Sequence, residues 1–373
     1  MDVSSEMIHS LLPVFLVGSL GASATMVGVI EGFAEATALV VKVVSGALSD
    51  LLRRRKALAV VGYALGAATK PLFAIAQTAG VVFAARLLDR VGKGVRGAPR
   101  DALVADLAPS GTRGAAFGLR QALDTVGAVL GPLAAVGLML LWSNDVRAVF
   151  GVAIVPGVLS VVVLLVGVRE PRPVAGSRGA NPIRRENLRR LGRAYWWVVA
   201  IGAAFMLARF SEAFLVLRAQ EVGVPLAYIP LVMAGMSVAY AATSYPFGRL
   251  ADRTSRRALL ALGLALLIGS DLVLGRGEGL LALALGVGLW GVHMGVTQGL
   301  LSAMVADASP ADLRGTAFGV FNLASGAAML VASAVAGVLW DRLGSAFTFH
   351  VGAAFAGAAL MGLVVHGRSH ARG

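Results

Sequence analysis

The chain has 373 residues, 57% of them hydrophobic and 14% charged, with a formal net charge of +13 and a mean hydropathy of +0.79. That balance excludes a soluble globular domain, because apolar runs of about 20 residues, each able to cross a hydrocarbon core about 30 Å thick, recur from end to end. With no cysteine in the chain, disulfides, thiolate-bound zinc and iron–sulfur clusters are excluded too. The basic excess does not point to nucleic acid: most arginines stand in short connections between apolar runs, where charge sets membrane orientation.

Met1-Asp2-Val3-Ser4-Ser5-Glu6 opens the chain without the basic stretch that precedes the apolar core of a secretory signal, so no cleavable signal is expected. Apolar patterning then predicts twelve spans. Six lie at 1–20, 25–48, 57–77, 81–104, 114–141 and 146–167, and six at 194–219, 225–247, 258–275, 280–305, 314–339 and 345–366. Between the sixth and seventh lies the one long polar connection, rich in arginine and holding Pro171, Pro173 and Pro182. The expected fold is all-α and integral to the membrane, with a first six-helix bundle over 1–168, a basic linker over 169–193 and a second bundle over 194–373. Placing Arg53, Arg54, Arg55, Lys56, Arg113, the linker, Arg253, Arg256, Arg257 and Arg314 on one side leaves little but Arg147, Arg276 and Arg342 on the other. The excess of short-loop positive charge puts both termini and the linker in the cytoplasm.

The halves repeat each other. Gly46-Ala-Leu-Ser-Asp50-Leu-Leu-Arg-Arg54-Arg55 recurs as Gly248-Arg-Leu-Ala-Asp252-Arg-Thr-Ser-Arg256-Arg257, and Ala105-Asp106 through Phe117-Gly118 recurs as Ala306-Asp307 through Phe318-Gly319, at nearly one offset. Such a duplication describes two bundles related by an axis along the membrane normal, with a binding site at their interface near the midplane. Ser5-Glu6 aligns with Ser211-Glu212, yet far fewer residues precede Glu6 than precede Glu212 within its span. The first span is therefore expected to be truncated at its N-terminus.

Over essentially its whole length the chain resembles the major facilitator superfamily. Its signature between the second and third spans is similar to Gly-x-x-x-Asp-basic-x-Gly-basic-basic, and Gly46, Asp50, Arg54 and Arg55 match it, as do Gly248, Asp252, Arg256 and Arg257. Leu51, Arg53 and Ser255 depart from the pattern. The resemblance implies a latch that holds the cytoplasmic side shut; physically, the glycine permits close helix approach and the aspartate can accept from basic groups or a helix N-terminus. Gly127-Ala-Val-Leu-Gly131-Pro132 is similar to an element of the superfamily's exporters, which implies a bend at the outer gate of an antiporter, while plain small-residue packing stays open. Arg86 resembles the superfamily's fourth-span arginine, although Asp89 and Arg90 depart from what usually follows it. Together with the Asp-Val-Ser-Ser-Glu-Met opening, the Asp-Arg-Val-Gly-Lys-Gly stretch resembles a poorly characterised prokaryotic branch, which names no substrate.

The fourth span holds the densest charge. In helical register Arg86, Asp89, Arg90, Lys93, Arg96, Arg100 and Asp101 fall within an arc of roughly 140°, and ionisable groups in a membrane face a bundle interior or a wet cavity. Counted inward from the outer ends, Glu31 and Arg86 lie about 8 Å deep and Glu35 and Arg90 about 14 Å deep, so opposite charges coincide twice. Arg120 and Asp124 in the fifth span and Glu6 in the first add to the set, and Arg96, Arg100 and Asp101 stand near enough to the cytoplasm to snorkel. A static network bracing the first bundle remains the alternative to a transport path. The corresponding helix of the second half has no such stripe; Trp290, His293, Met294 and Phe321 are expected to meet an apolar part of a ligand, and Arg209 and Glu212 to pair on one helix face. Gly92-Lys93-Gly94 lacks the first glycine and the hydroxyl residue of a phosphate loop, and His366 with His370 lacks a third metal ligand.

The reading is a secondary transporter in a prokaryotic inner membrane, working by alternating access and exchanging an internal small molecule for protons, with a carrier of small organic anions as the alternative. A membrane enzyme or a non-transporting sensor ranks below both. Glu31, Glu35, Asp89 and Asp124 are the candidate protonation sites, tuned by Arg86, Arg90, Lys93 and Arg120. Beyond substrate, protons and lipid no partner is expected, with no cofactor or metal, and the chain is expected to act as a monomer.

Overall fold

In a bilayer every backbone polar group must find its partner within the protein, so apolar runs of this length can only be helices. The computed structural model describes residues 1–52, 54–108, 112–169, 188–251, 253–310 and 313–370, with helices at each of the twelve expected places. Among the described residues nine helices are long and apolar enough to cross a membrane. The first, second and fourth spans fall outside that set, and they are the short, interrupted or charged ones.

The first span is helical over Asp2–His9, breaks at Ser10-Leu11, and resumes through Leu12–Val14 into a wide π turn over Phe15–Ser19. The second to fifth run over Ala24–Leu52, Arg55–Ile75, Ala79–Leu107 and Arg113–Leu141. The sixth is Val146–Val152 continued by Ile154–Gly167. In the second half Arg193–Ala208 and Ala213–Glu221 form a broken seventh span, followed by Leu231–Ala251, Arg256–Arg276, Gly279–Ala308, Arg314–Leu343 and Ser345–His370. Charged ends extend the second and fourth helices several residues past their apolar runs, because polar side chains at an interface do not interrupt the backbone ladder.

Small residues decide which helices meet. A Cβ at Gly62 would stand 2.6 Å from the Arg96 amide nitrogen, one at Gly92 2.8 Å from the Gly62 carbonyl, and one at Gly94 2.6 Å from Val41 Cβ. The glycines flanking Lys93 therefore wedge the fourth span between the second and third. Gly127 and Gly131 play the same part for the fifth span, where a Cβ would stand 2.9 Å from that of Asp2 and 2.7 Å from that of Glu6. The motif packs closely on the first span, and the fifth helix runs on through Pro132.

The two repeated motifs come together as the duplication requires. Arg55 at the start of the third span pairs with Asp106 at the end of the fourth, and Arg256 pairs with Asp307 at the equivalent place in the second half. The motif glycines differ: a Cβ at Gly46 would stand 3.4 Å from Ala98 Cβ, whereas among the described residues nothing lies within 4 Å of a Cβ at Gly248. Arg54 is exposed. The side chains of Asp50, His366 and His370, all of Asp252, and most of the linker lie outside the described residues.

The halves join along the second and eleventh spans. A Cβ at Gly28 would collide with the Ser333 carbonyl, one at Gly32 would stand 3.0 Å from Leu330 Cα, and one at Gly337 2.6 Å from Thr25 Cα. At the end remote from Arg55, Asp341 accepts hydrogen bonds from the Ala24 and Thr25 amides at 2.9 and 2.8 Å, so a carboxylate of one half caps a helix of the other.

Candidate functional site

Between the halves lies a cavity of about 530 Å³. It runs from Glu31 and His9 toward the basic-loop ends of the second, fourth and fifth spans, where Lys42, Arg100 and Gln121 line it. Past Glu31 the way to the Asp341 side is filled by Leu11, Leu12 and Phe15 of the first span and Phe214 and Leu215 of the seventh, each at most 1% exposed.

Both charge pairs expected from helical depth are present. Arg86 donates from Nε and Nη2 to the two oxygens of Glu31 at 3.0 and 2.7 Å, a bidentate geometry that fixes both side chains. Arg90 reaches Glu35 at 3.2 Å. Two further members were not expected. His9 spans Glu6 and Glu31, at 3.4 and 3.5 Å from its two ring nitrogens, and Lys70 in the third span donates to Asp89 at 2.8 Å and to Ser5 at 3.1 Å. A lysine in mid-span beside Pro71 was the available signal, since a charge at that depth needs a partner.

The stripe on the fourth span is therefore two layers. Arg90, Lys93, Arg96 and Arg100 line the cavity, whereas Arg86 and Asp89, 2% and 4% exposed, sit behind it in a buried layer with Lys70. That corrects the expectation that the whole stripe faces the path. Arg96 and Arg100 do not snorkel outward. Arg96 lies 3.9 Å from Asp2 with its guanidinium 4.9 Å above the Tyr63 ring, and Arg100 reaches Asp101 and Asp124 at 3.4 and 3.6 Å. Arg120 closes this second cluster, at 2.9 Å from Asp101 and 3.5 Å from Asp124; Asp124 lines the cavity and Arg120 does not.

The second half supplies a different wall, with Met233, Met236, Met294, Met329 and Tyr240. Of the four ligand contacts expected there, only Met294 lines the cavity. Trp290 is fully buried against Phe210, ring centroids 5.5 Å apart. His293 is 2.7 Å from the Gly263 carbonyl through Nδ1 and stacked on Phe205 at 5.2 Å, and Phe321 packs against Gly202 of the seventh span. Each turned inward because the tenth and eleventh spans are apolar all round, so residue type alone does not say which face meets the cavity. Arg209 and Glu212 do pair, at 3.5 Å, but across the break in the seventh span rather than along a helix face.

Comparison with known proteins agrees with this architecture. The family model described as Major Facilitator Superfamily matches residues 1–217 and 198–372. An uncharacterised MFS-type transporter of Methanocaldococcus jannaschii is 32% identical, over 95% of this chain and 89% of its own. The multidrug resistance protein MdtH of Cronobacter sakazakii is 34% identical over 39% of this chain and 35% of its own. Among solved structures, the nucleoside transporter NupG shares the fold with a TM-score of 0.80 at 12% identity, covering 98% of this chain and 95% of NupG.

Proposed function

The chain belongs to the Major Facilitator Superfamily, and from that premise we propose that it moves a small molecule across a prokaryotic inner membrane by alternating access, in exchange for protons. The observation that carries this reading is the cavity between the halves, walled on one side by Glu6, Glu31, Glu35 and Asp124 and blocked toward the Asp341 side. Carboxylates in contact with cavity water and with neighbouring cations can load and release protons as access alternates. The methionine wall opposite adapts to varied apolar surfaces, which suits an exporter and agrees with the likeness to MdtH, described as a multidrug resistance protein.

A screen of small molecules for thermal stabilisation of the purified protein supplies a substrate, and uptake into proteoliposomes then tests the coupling. Exchange for protons predicts accumulation in vesicles with an acidic lumen, because protons leave as substrate enters. Uptake indifferent to the pH gradient would remove the coupling.

A second reading, a carrier of organic anions, is favoured by Lys42 and Lys93. Both are exposed to the cavity, and among the described residues neither is held in an ion pair. An anion carrier driven by symport would instead fill vesicles with an alkaline lumen.

For orientation, the basic-loop side is the cytoplasmic one in this reading. A reporter enzyme fused at Arg169 is expected to be active in the cytoplasm, and a periplasmic signal there would reverse the assignment of both termini.

A further inference from the structure

Pseudo-symmetry puts Asp271 where the first half has Lys70. The third and ninth spans each run over 21 residues, Arg55–Ile75 and Arg256–Arg276, and the register that superposes Arg55 on Arg256 superposes Lys70 on Asp271 and Asp89 on Trp290. In the first half the position is a closed ion pair. In the second half Asp271 is 0% exposed and, among the described residues, neither carboxyl oxygen has a hydrogen-bond partner; the indole N–H of Trp290, buried as deeply, has none there either.

Three helices face this acid. The twelfth brings Gly352, where a Cβ would stand 2.7 Å from Asp271 Oδ2 and 2.9 Å from the Phe210 ring, and His350, whose Nε2 is unpartnered. The tenth packs on the ninth beside it, the Ser270 hydroxyl donating to the Gly286 carbonyl at 2.7 Å, and carries Trp290 and, farther along on the Gly263 carbonyl, His293. The seventh brings Phe210, flanked in its break by Arg209 and Glu212, which pair with each other. None of these groups is bonded to the carboxyl. An ionised carboxylate buried without a donor or a counter-ion is among the most costly groups a membrane interior can hold, and the neutral acid relieves that cost.

Phe210 separates this acid from the cavity. Its ring lines the charged cavity on one side and lies against Trp290 and Phe349 on the other, with centroids 5.5 and 5.6 Å away. It sits in the non-helical segment between Ala208 and Ala213, where the backbone can turn without dismantling a helix.

We propose that Asp271 is a proton-binding site of the second half and that Phe210 is its gate. The carboxyl keeps its proton while the ring lies on Trp290 and Phe349. When the break in the seventh span turns the ring away, the O–H bond breaks, the proton leaves on cavity water, and the electron pair stays on the carboxylate. That charge is met by the free indole N–H of Trp290 and by Arg209, whose Nε lacks a partner. The proposal deepens the proton-exchange reading, but it stands on the buried acid, so either can fail alone.

Infrared titration of the purified full chain in lipid tests it. The wild type is expected to show the C=O stretch of a neutral carboxylic acid persisting at neutral pH, absent from D271N and displaced in D271E. The same band in wild type and D271N would overturn the site. Should D271N fail to fold, wild type carrying carboxyl-¹³C aspartate must show the band displaced, and an undisplaced band would overturn it equally. F210A is expected to let the band titrate away by neutral pH and to speed its exchange in heavy water; persistence as in wild type would overturn the gate. A band lost in D271N together with uptake indifferent to a pH gradient would uphold the site and overturn the exchange reading.

Discussion

Arg86→Ala is expected to cost the protein about 3–5 kcal/mol, the effect of removing one partner from a buried ion pair, and to be the most damaging single change in the first half. Glu31 is 1% exposed and would be left with His9 alone, at 3.5 Å, in place of a bidentate guanidinium. Asp89 would lose its neighbour at 4.0 Å as well, though Lys70 still holds it. Thermal denaturation of the purified chain measures the loss. The double change Glu31→Gln with Arg86→Met separates scaffold from mechanism, because two neutral side chains of similar volume carry no desolvation cost and should recover most of the stability. If the pair also sets the proton affinity of the cavity wall, the recovered protein will transport with altered pH dependence. An Arg86→Ala protein as stable as wild type would mean that the layer behind the cavity is wet.

That pair was legible in the sequence because a helix rises evenly, so that counting from the ends of two spans matched Glu31 to Arg86 and Glu35 to Arg90 before any contact was known. The duplication was legible for a similar reason: Arg55–Asp106 and Arg256–Asp307 are the same bridge made twice, and the motifs that carry it stand at nearly one offset, Arg256 aligning with Arg54 in the motif and with Arg55 in the bridge. What could not be read was facing. Lys70 and Asp89 meet only because Gly62, Gly66 and Gly92 draw the third and fourth spans together, and glycine, abundant in this chain, does not announce which helix it will touch. Trp290 and His293 went astray likewise, since an evenly apolar helix offers no polar face from which to infer an inside. The break in the seventh span was hidden too: Arg209-Phe210-Ser211-Glu212 carries neither glycine nor proline, and its irregular backbone is held by tertiary contacts such as the hydrogen bond from the Ser211 amide to the Ser333 hydroxyl at 3.2 Å.

Gly28→Val is expected to prise open the side of the protein that carries Asp341. The second and eleventh spans touch there through backbone rather than side chains, and a Cβ at Gly28 points into the Ser333 carbonyl, which cannot rotate away as a side-chain tip would. The joint must separate, and the state in which this side is closed loses its tightest contact. The chain has no native cysteine, so a single cysteine replacing Ala24, 5% exposed at this joint, reports opening through its rate of alkylation by an impermeant maleimide. Gly28→Val should raise that rate at least about tenfold, the population change that about 1.4 kcal/mol produces. Asp341→Ala removes only the cap on Ala24 and Thr25, worth about 0.5–2 kcal/mol, and should raise the rate less. Gly137→Val, on the fifth span with nothing within 4 Å of its Cβ position among the described residues, should leave it unchanged. Equal labelling in all three would show that the joint between the second and eleventh spans is a fixed seam and that access alternates elsewhere.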